Sequence, residues 1–169
     1  MDLVEKAEQF AAEAHGSIDH QRKYTNEPYI VHPEEVVEIV KTVPHTDEML
    51  AAAWLHDVVE DTPVTLGEVY KEFGKKVGDL VEMLTDVSRP EDGNRRTRKA
   101  IDRNHTERAS PEAKTIKLAD LISNTTSIVK RDPGFARVYL AEKKLLMKVL
   151  KEGDRTLWKQ AWEMSFGKG

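Results

Sequence analysis

Apolar residues recur at three- and four-residue spacings through almost the whole chain, and no β-branched run alternates cleanly for six residues. Such a pattern gives each segment one apolar stripe and offers no face on which a sheet could form, so the expected fold is all-α. With 169 residues the chain has the usual size of one domain, and a single-domain helical bundle over 1–169 is expected. Val4, Ala7, Phe10, Ala11 and Ala14 mark a first helix. After the turn-rich stretch 16–28, Pro33 suits a first helical turn and opens a second helix to about Thr42. Thr46, Asp47 and Glu48 cap and charge a third, which carries Leu50, Trp54 and Val58 and stops near Thr62 and Pro63.

Thr65 and Glu68 match a capping box, opening a short helix that Gly74 closes, and Val77, Leu80, Val81 and Leu84 carry the next. Residues 88–94 read as a loop. The polar stretch 95–109 has few apolar anchors and reads as a weak helix or a mobile flap. Ser110 and Pro111 cap a helix to about Val129, Asp132, Pro133 and Gly134 form a break, and a further helix spans 135–150. Leu157, Trp158, Ala161 and Trp162 place a terminal helix whose aromatics are expected to pack inward.

Several function classes are excluded at this level. No run is long and apolar enough for a bilayer, and the opening stretch carries acids where a secretory signal needs an apolar centre, so a cytoplasmic protein is expected. A balance of 26 basic and 30 acidic residues argues against general nucleic-acid binding. The basic cluster of Arg95, Arg96, Arg98, Lys99 and Arg103 is diluted by Glu91, Asp92, Asp102 and Glu107 and reads as a solvated face. Without cysteine, a metal can be held only by histidine, carboxylate, amide or water.

Three patches concentrate such ligands. On a continuous helix His56, Asp57, Glu60 and Asp61 would fall within roughly 140° of arc, directly after the apolar run Ala51, Ala52, Ala53, Trp54 and Leu55. Three carboxylates at the inner end of a buried helix repel one another, and a divalent cation relieves the repulsion. Taken alone, the His–Asp pair reads first as a helix end whose acids are solvated. Its company changes the reading: His32 precedes Pro33, and Asp120 and Asn124 share one face of an otherwise apolar helix. His32, His56, Asp57 and Asp120 form a two-histidine, two-carboxylate set that suits Mn²⁺, Fe²⁺ or Zn²⁺ better than Ca²⁺ or Mg²⁺. The third patch, 20–33, places Arg22 and Lys23 where they can bind phosphate or stack on a base, in a turn leading to His32.

With RKYTNEPYIVHP at 22–33, AAWLHDVVEDT at 52–62 and KLADLISNT at 117–125, in that order, the chain resembles the HD-type hydrolase domain of the RelA/SpoT alarmone enzymes. In size it is most similar to the stand-alone small alarmone hydrolases. The resemblance implies that His32, His56, Asp57 and Asp120 bind one Mn²⁺ ion, and that Glu60 and Asp61 position or deprotonate the attacking water. It implies that Arg22, Lys23, Asn124 and Tyr139 contact the nucleotide, and that the activity is removal of the 3′-pyrophosphate of (p)ppGpp. Relatives of this kind also accept adenine alarmones or the 2′-phosphate of NADPH.

Two positions depart from the family: Leu121 stands where a basic residue is common, and Ser123 where an aromatic or histidine is frequent. Both bear on substrate preference rather than on the ligands. His15, His20, His45 and His105 match no ligand position and are expected at the surface or as caps. The rival readings are an HD-type phosphatase of NADPH or of a nucleoside monophosphate, a nucleotide-binding regulator without turnover, and a purely structural module. No second catalytic domain is expected. Trp158 and Trp162 suit equally a helix that completes its own core and one that faces a second copy in a homo-oligomer.

Overall fold

The computed structural model describes residues 1–168, which fold into helices joined by short loops, without a strand among them. They form two compact units, Met1–Thr85 and the residues from Asp86 onward. The first unit contains α1 (Leu3–Gly16), α2 (Val31–Val40), α3 (Asp47–Leu55), α4 (Val58–Asp61) and α5 (Leu66–Leu84). Its centre is α3, which packs against α1, α2 and α5. Met49 to Leu55 are all buried, so α3 has no solvent face, and Ala51, Ala52 and Ala53 let neighbouring backbones come close. Thr46 caps it by accepting the N–H of Met49.

The sequence pattern predicts one helix from Thr46 to about Thr62, and the structure breaks it. His56 Nδ1 lies 2.7 Å from the carbonyl of Ala53, the acceptor that the N–H of Asp57 would use in a continuous helix. Asp57 takes φ −106°, ψ −1° and starts the single turn α4, so the His–Asp pair occupies the corner itself. The break expected at Gly74 is a kink inside α5, with φ +86° and ψ 178°, a conformation open to glycine alone.

Between α1 and α2 the chain makes a hairpin-like loop. Gln21 and Pro28 form an antiparallel bridge, the N–H of Arg22 donates to Glu27 O, and the N–H of Tyr29 donates to His20 O. Asp19 and Asn26 adopt positive φ of 51° and 59°, which short polar side chains tolerate. Arg22 and Lys23 lie at the outer turn of this loop, and Tyr29 on its return limb.

The second unit contains a 3₁₀ turn at Pro90–Asp92, then α6 (Arg95–Glu107), α7 (Pro111–Arg131), α8 (Pro133–Val149) and α9 (Arg155–Phe166). α7 packs against α8 and α9, and α6 against α8. Ser110, Asp132 and Asp154 accept first-turn N–H groups of α7, α8 and α9. The polar stretch 95–109 is helical: Asn94 caps it, Asp102 accepts N–H bonds from Val87 and Ser88, and none of its residues is buried. Asp132, Pro133 and Gly134, expected as a break, are a cap and the first turn of α8. On α9 the buried residues are Leu157 and Ala161; Trp158 and Trp162 stay half-buried and stack at 5.4 Å, with Trp158 Nε1 donating to Met147 O. No helix of the described residues is long and apolar enough to cross a membrane.

Candidate active site

Three of the expected metal ligands come together in the first unit. His32 is the second residue of α2, while His56 and Asp57 form the corner after α3. One potential ligand atom from each lies within 4.8 Å of the others. Asp57 Oδ2 is 3.0 Å from His56 Nε2 and 3.7 Å from His32 Nε2, and both imidazoles are buried. Against a carbonyl, His56 Nδ1 carries a proton, which turns Nε2 toward a carboxylate oxygen. A cation between the two, a proton on Nε2 or a metal ion, accounts for that distance. Buried imidazole with carboxylate is the donor chemistry of a divalent transition metal, and the residues fit one.

Glu60 and Asp61 follow on α4 and are exposed. The loop before α2 places Arg22 half-buried and Lys23 exposed, with Lys23 Nζ 5.4 Å from the ring centre of Tyr24. Tyr29, which the sequence reading leaves without a role, donates from its hydroxyl to Asp57 Oδ2 at 2.5 Å. His15, expected at the surface, is buried; its Nδ1 faces His20 Nδ1 at 3.1 Å, and both rings contact Tyr29. Burial pulls the His15 pKa down to about 4, against the pull of Asp57. A signal was present in the sequence: His15 follows Ala7 and Ala11, both buried, at four-residue intervals on one helix face.

Asp120, Asn124 and Tyr139 belong to the second unit. Asp120 is buried on α7, accepting from Asn124 Nδ2 at 3.1 Å and from Lys117 Nζ at 3.2 Å. The shared face of Asp120 and Asn124 is thus realised one turn apart. Tyr139 on α8 hydrogen-bonds Thr125 Oγ1 at 3.0 Å, and burial pushes its hydroxyl pKa up to about 12. These residues line a cavity of about 170 Å³ with Lys99, Arg103 and Lys117 on its wall. Leu121 also lines it, and burial raises the Asp86 carboxyl above its ordinary range. Leu121 and Leu146 apart, the lining is polar, and its cations beside Asp86, Asp102, Asp120 and Glu142 suit a small phosphorylated ligand.

A sequence model of the HD domain matches residues 7–146. The guanosine-3′,5′-bis(diphosphate) 3′-pyrophosphohydrolase MESH1 of Xenopus tropicalis is 36% identical over 135 residues, 78% of this chain and 72% of that protein. The guanosine-3′,5′-bis(diphosphate) 3′-pyrophosphohydrolase of Aquifex aeolicus is 38% identical over 86 residues, 51% of this chain. That alignment spans only 12% of the Aquifex protein, and the chain covers a similarly small share of several other relatives. Among solved structures, a metazoan ortholog of SpoT reported to hydrolyse ppGpp superposes with a TM-score of 0.84 at 28% identity, covering 99% of this chain and 97% of its own. The Listeria monocytogenes protein lmo0812 shares the fold at a TM-score of 0.66 and 24% identity, over 84% of this chain and 99% of its own. Matched by sequence through both compact units and by fold along almost its full length, this chain belongs to the HD domain family.

Proposed function

We propose that this chain acts as one HD-type phosphohydrolase domain, hydrolysing the 3′-pyrophosphate of a guanosine or adenosine alarmone such as (p)ppGpp to pyrophosphate and GDP or GTP. The observation that carries the reading is the cluster of Asp57 with buried His32 and His56, in a chain similar over most of its length to named 3′-pyrophosphohydrolases. Asp120 completes the proposed ligand set, and the ion is Mn²⁺, with Fe²⁺ or Zn²⁺ as chemically close substitutes. When bound, such an ion supplies a Lewis acid that lowers the pKa of water toward neutrality and offsets charge on the phosphoryl group.

The chain's own residues do the rest. Glu60, exposed on its single turn, takes the proton of the attacking water, and Asp61 orients that water. The water oxygen joins the phosphorus attached to O3′, the P–O3′ bond breaks, and O3′ takes up a proton while pyrophosphate leaves. Arg22 and Lys23 neutralise phosphate charge, and Asn124 and Tyr139 fix the nucleotide. The proposed partner is therefore a small nucleotide in the cytoplasm.

Product analysis tests this with Mn²⁺-loaded protein given ppGpp, ppApp, NADPH and nucleoside monophosphates in parallel. Metal-dependent pyrophosphate release from ppGpp or ppApp, reduced at least about 100-fold in both His56→Ala and Glu60→Ala, is the expected result. Orthophosphate released only from NADPH or a monophosphate would move the assignment to an HD-type phosphatase, a shift that Leu121 on the cavity wall would help explain. Nucleotide binding without turnover would make the protein a regulator.

A further inference from the structure

The Asp57 oxygen that faces both imidazoles has another neighbour. Tyr29 Oη donates to Oδ2 at 2.5 Å, a length typical of a hydroxyl bonded to an ionised carboxylate. The tyrosine therefore touches the ligand oxygen itself, and its ring centre is 5.7 Å from that of His32. Tyr29 in turn is held on its other side. Its ring stacks on His20 at 3.9 Å with the planes 12° apart, and tilts against buried His15 at 4.7 Å.

The two histidines are locked to each other through Nδ1 atoms 3.1 Å apart, a contact that requires one nitrogen to donate and the other to accept. One of the pair therefore has its lone pair on Nδ1. A hydroxyl carried on a ring clamped in this way cannot follow the carboxylate if it rotates; it fixes the carboxylate instead.

We infer that Tyr29, clamped by the His15–His20 pair, is a positioning residue that sets the orientation of Asp57 for metal binding. The inference rests on reading His32, His56 and Asp57 as a metal centre. Outer groups that orient a ligand typically change metal affinity by roughly 10–100-fold when removed. Tyr29→Phe removes only the hydroxyl and keeps the stacked ring, whereas His20→Ala keeps the hydroxyl and removes the stack.

The experiment titrates Co²⁺ into metal-free wild-type protein and both variants, following the visible absorption bands of the ion, with Mn²⁺ affinity taken from chelator competition. Thermal melts of the metal-free proteins run alongside. The expected result is metal affinity roughly 10–100-fold weaker in Tyr29→Phe, with altered cobalt bands and an unchanged metal-free melt, and an intermediate loss in His20→Ala. Turnover of Tyr29→Phe should recover at excess Mn²⁺ with an unchanged KM, because a ligand-orienting residue acts through the ion and not on the nucleotide. Wild-type affinity and bands in Tyr29→Phe would overturn the positioning role alone. A wild-type protein that takes up no ion would instead overturn the metal centre, and this inference with it.

Discussion

At the scale of single residues the site turns on which nitrogen and which oxygen face inward. His56 spends Nδ1 on the Ala53 carbonyl, and only Nε2 is left for Asp57 and an ion. Its residue type was legible in the sequence, as were His32 and Asp57; its tautomer was not, because the carbonyl it meets exists only once α3 ends there. His15 shows the opposite failure, since its place on the Ala7 and Ala11 face marks it as buried while its neighbours in sequence suggest a cap. The consequence is a pH dependence of stability. The folded-state pKa of about 4 lies below the ordinary 6.5, so the unfolded chain binds more protons between those values. Stability contributed by neutral His15 is complete above 6.5 and is lost as pH falls toward about 4. The full difference is about 3 kcal/mol. Urea unfolding of wild-type protein and His15→Gln across that range should show the wild type losing more stability on acidification, and parallel curves would refute the argument.

At the scale of elements, most helices were readable because caps and apolar stripes agreed, as at Ser110 for α7 and Thr65 for α5. Two elements were not. The helix through His56 was expected to continue, since nothing in residues 46–62 breaks a helix by composition; it ends where the imidazole takes the Ala53 carbonyl that the next turn would use. Stretch 95–109 was expected to be weak for lack of apolar anchors, yet α6 forms with Asn94 as its cap, on residues that favour helix without burial. Gly74 gives this scale its prediction. A Cβ there would meet nothing within 4 Å, so the cost of Gly74→Ala is the backbone conformation alone, with φ at +86°. A loss of about 1–3 kcal/mol is expected from denaturant titration. A neutral substitution would mean that α5 can straighten through residue 74.

At the scale of the whole molecule, the all-α class was legible from periodicity alone, whereas the division after Thr85 into two compact units was not, because the helical pattern runs on across it without a linker. What the class does not reveal is that folding here places a carboxylate against two buried imidazoles. A carboxylate beside two desolvated imidazoles offers an ion a preformed set of donors. An ion that binds the folded chain and not the unfolded one stabilises it, and its contribution grows with the logarithm of its concentration. At a free concentration 100 times its Kd, Mn²⁺ should add about 2.7 kcal/mol, or roughly 5–10 °C in melting temperature for a chain of this size. The shift should reverse with a chelator and vanish in His56→Ala. A melting temperature indifferent to Mn²⁺ in the wild type would show that the three side chains pair for structural reasons, with a proton rather than an ion between Nε2 and Oδ2.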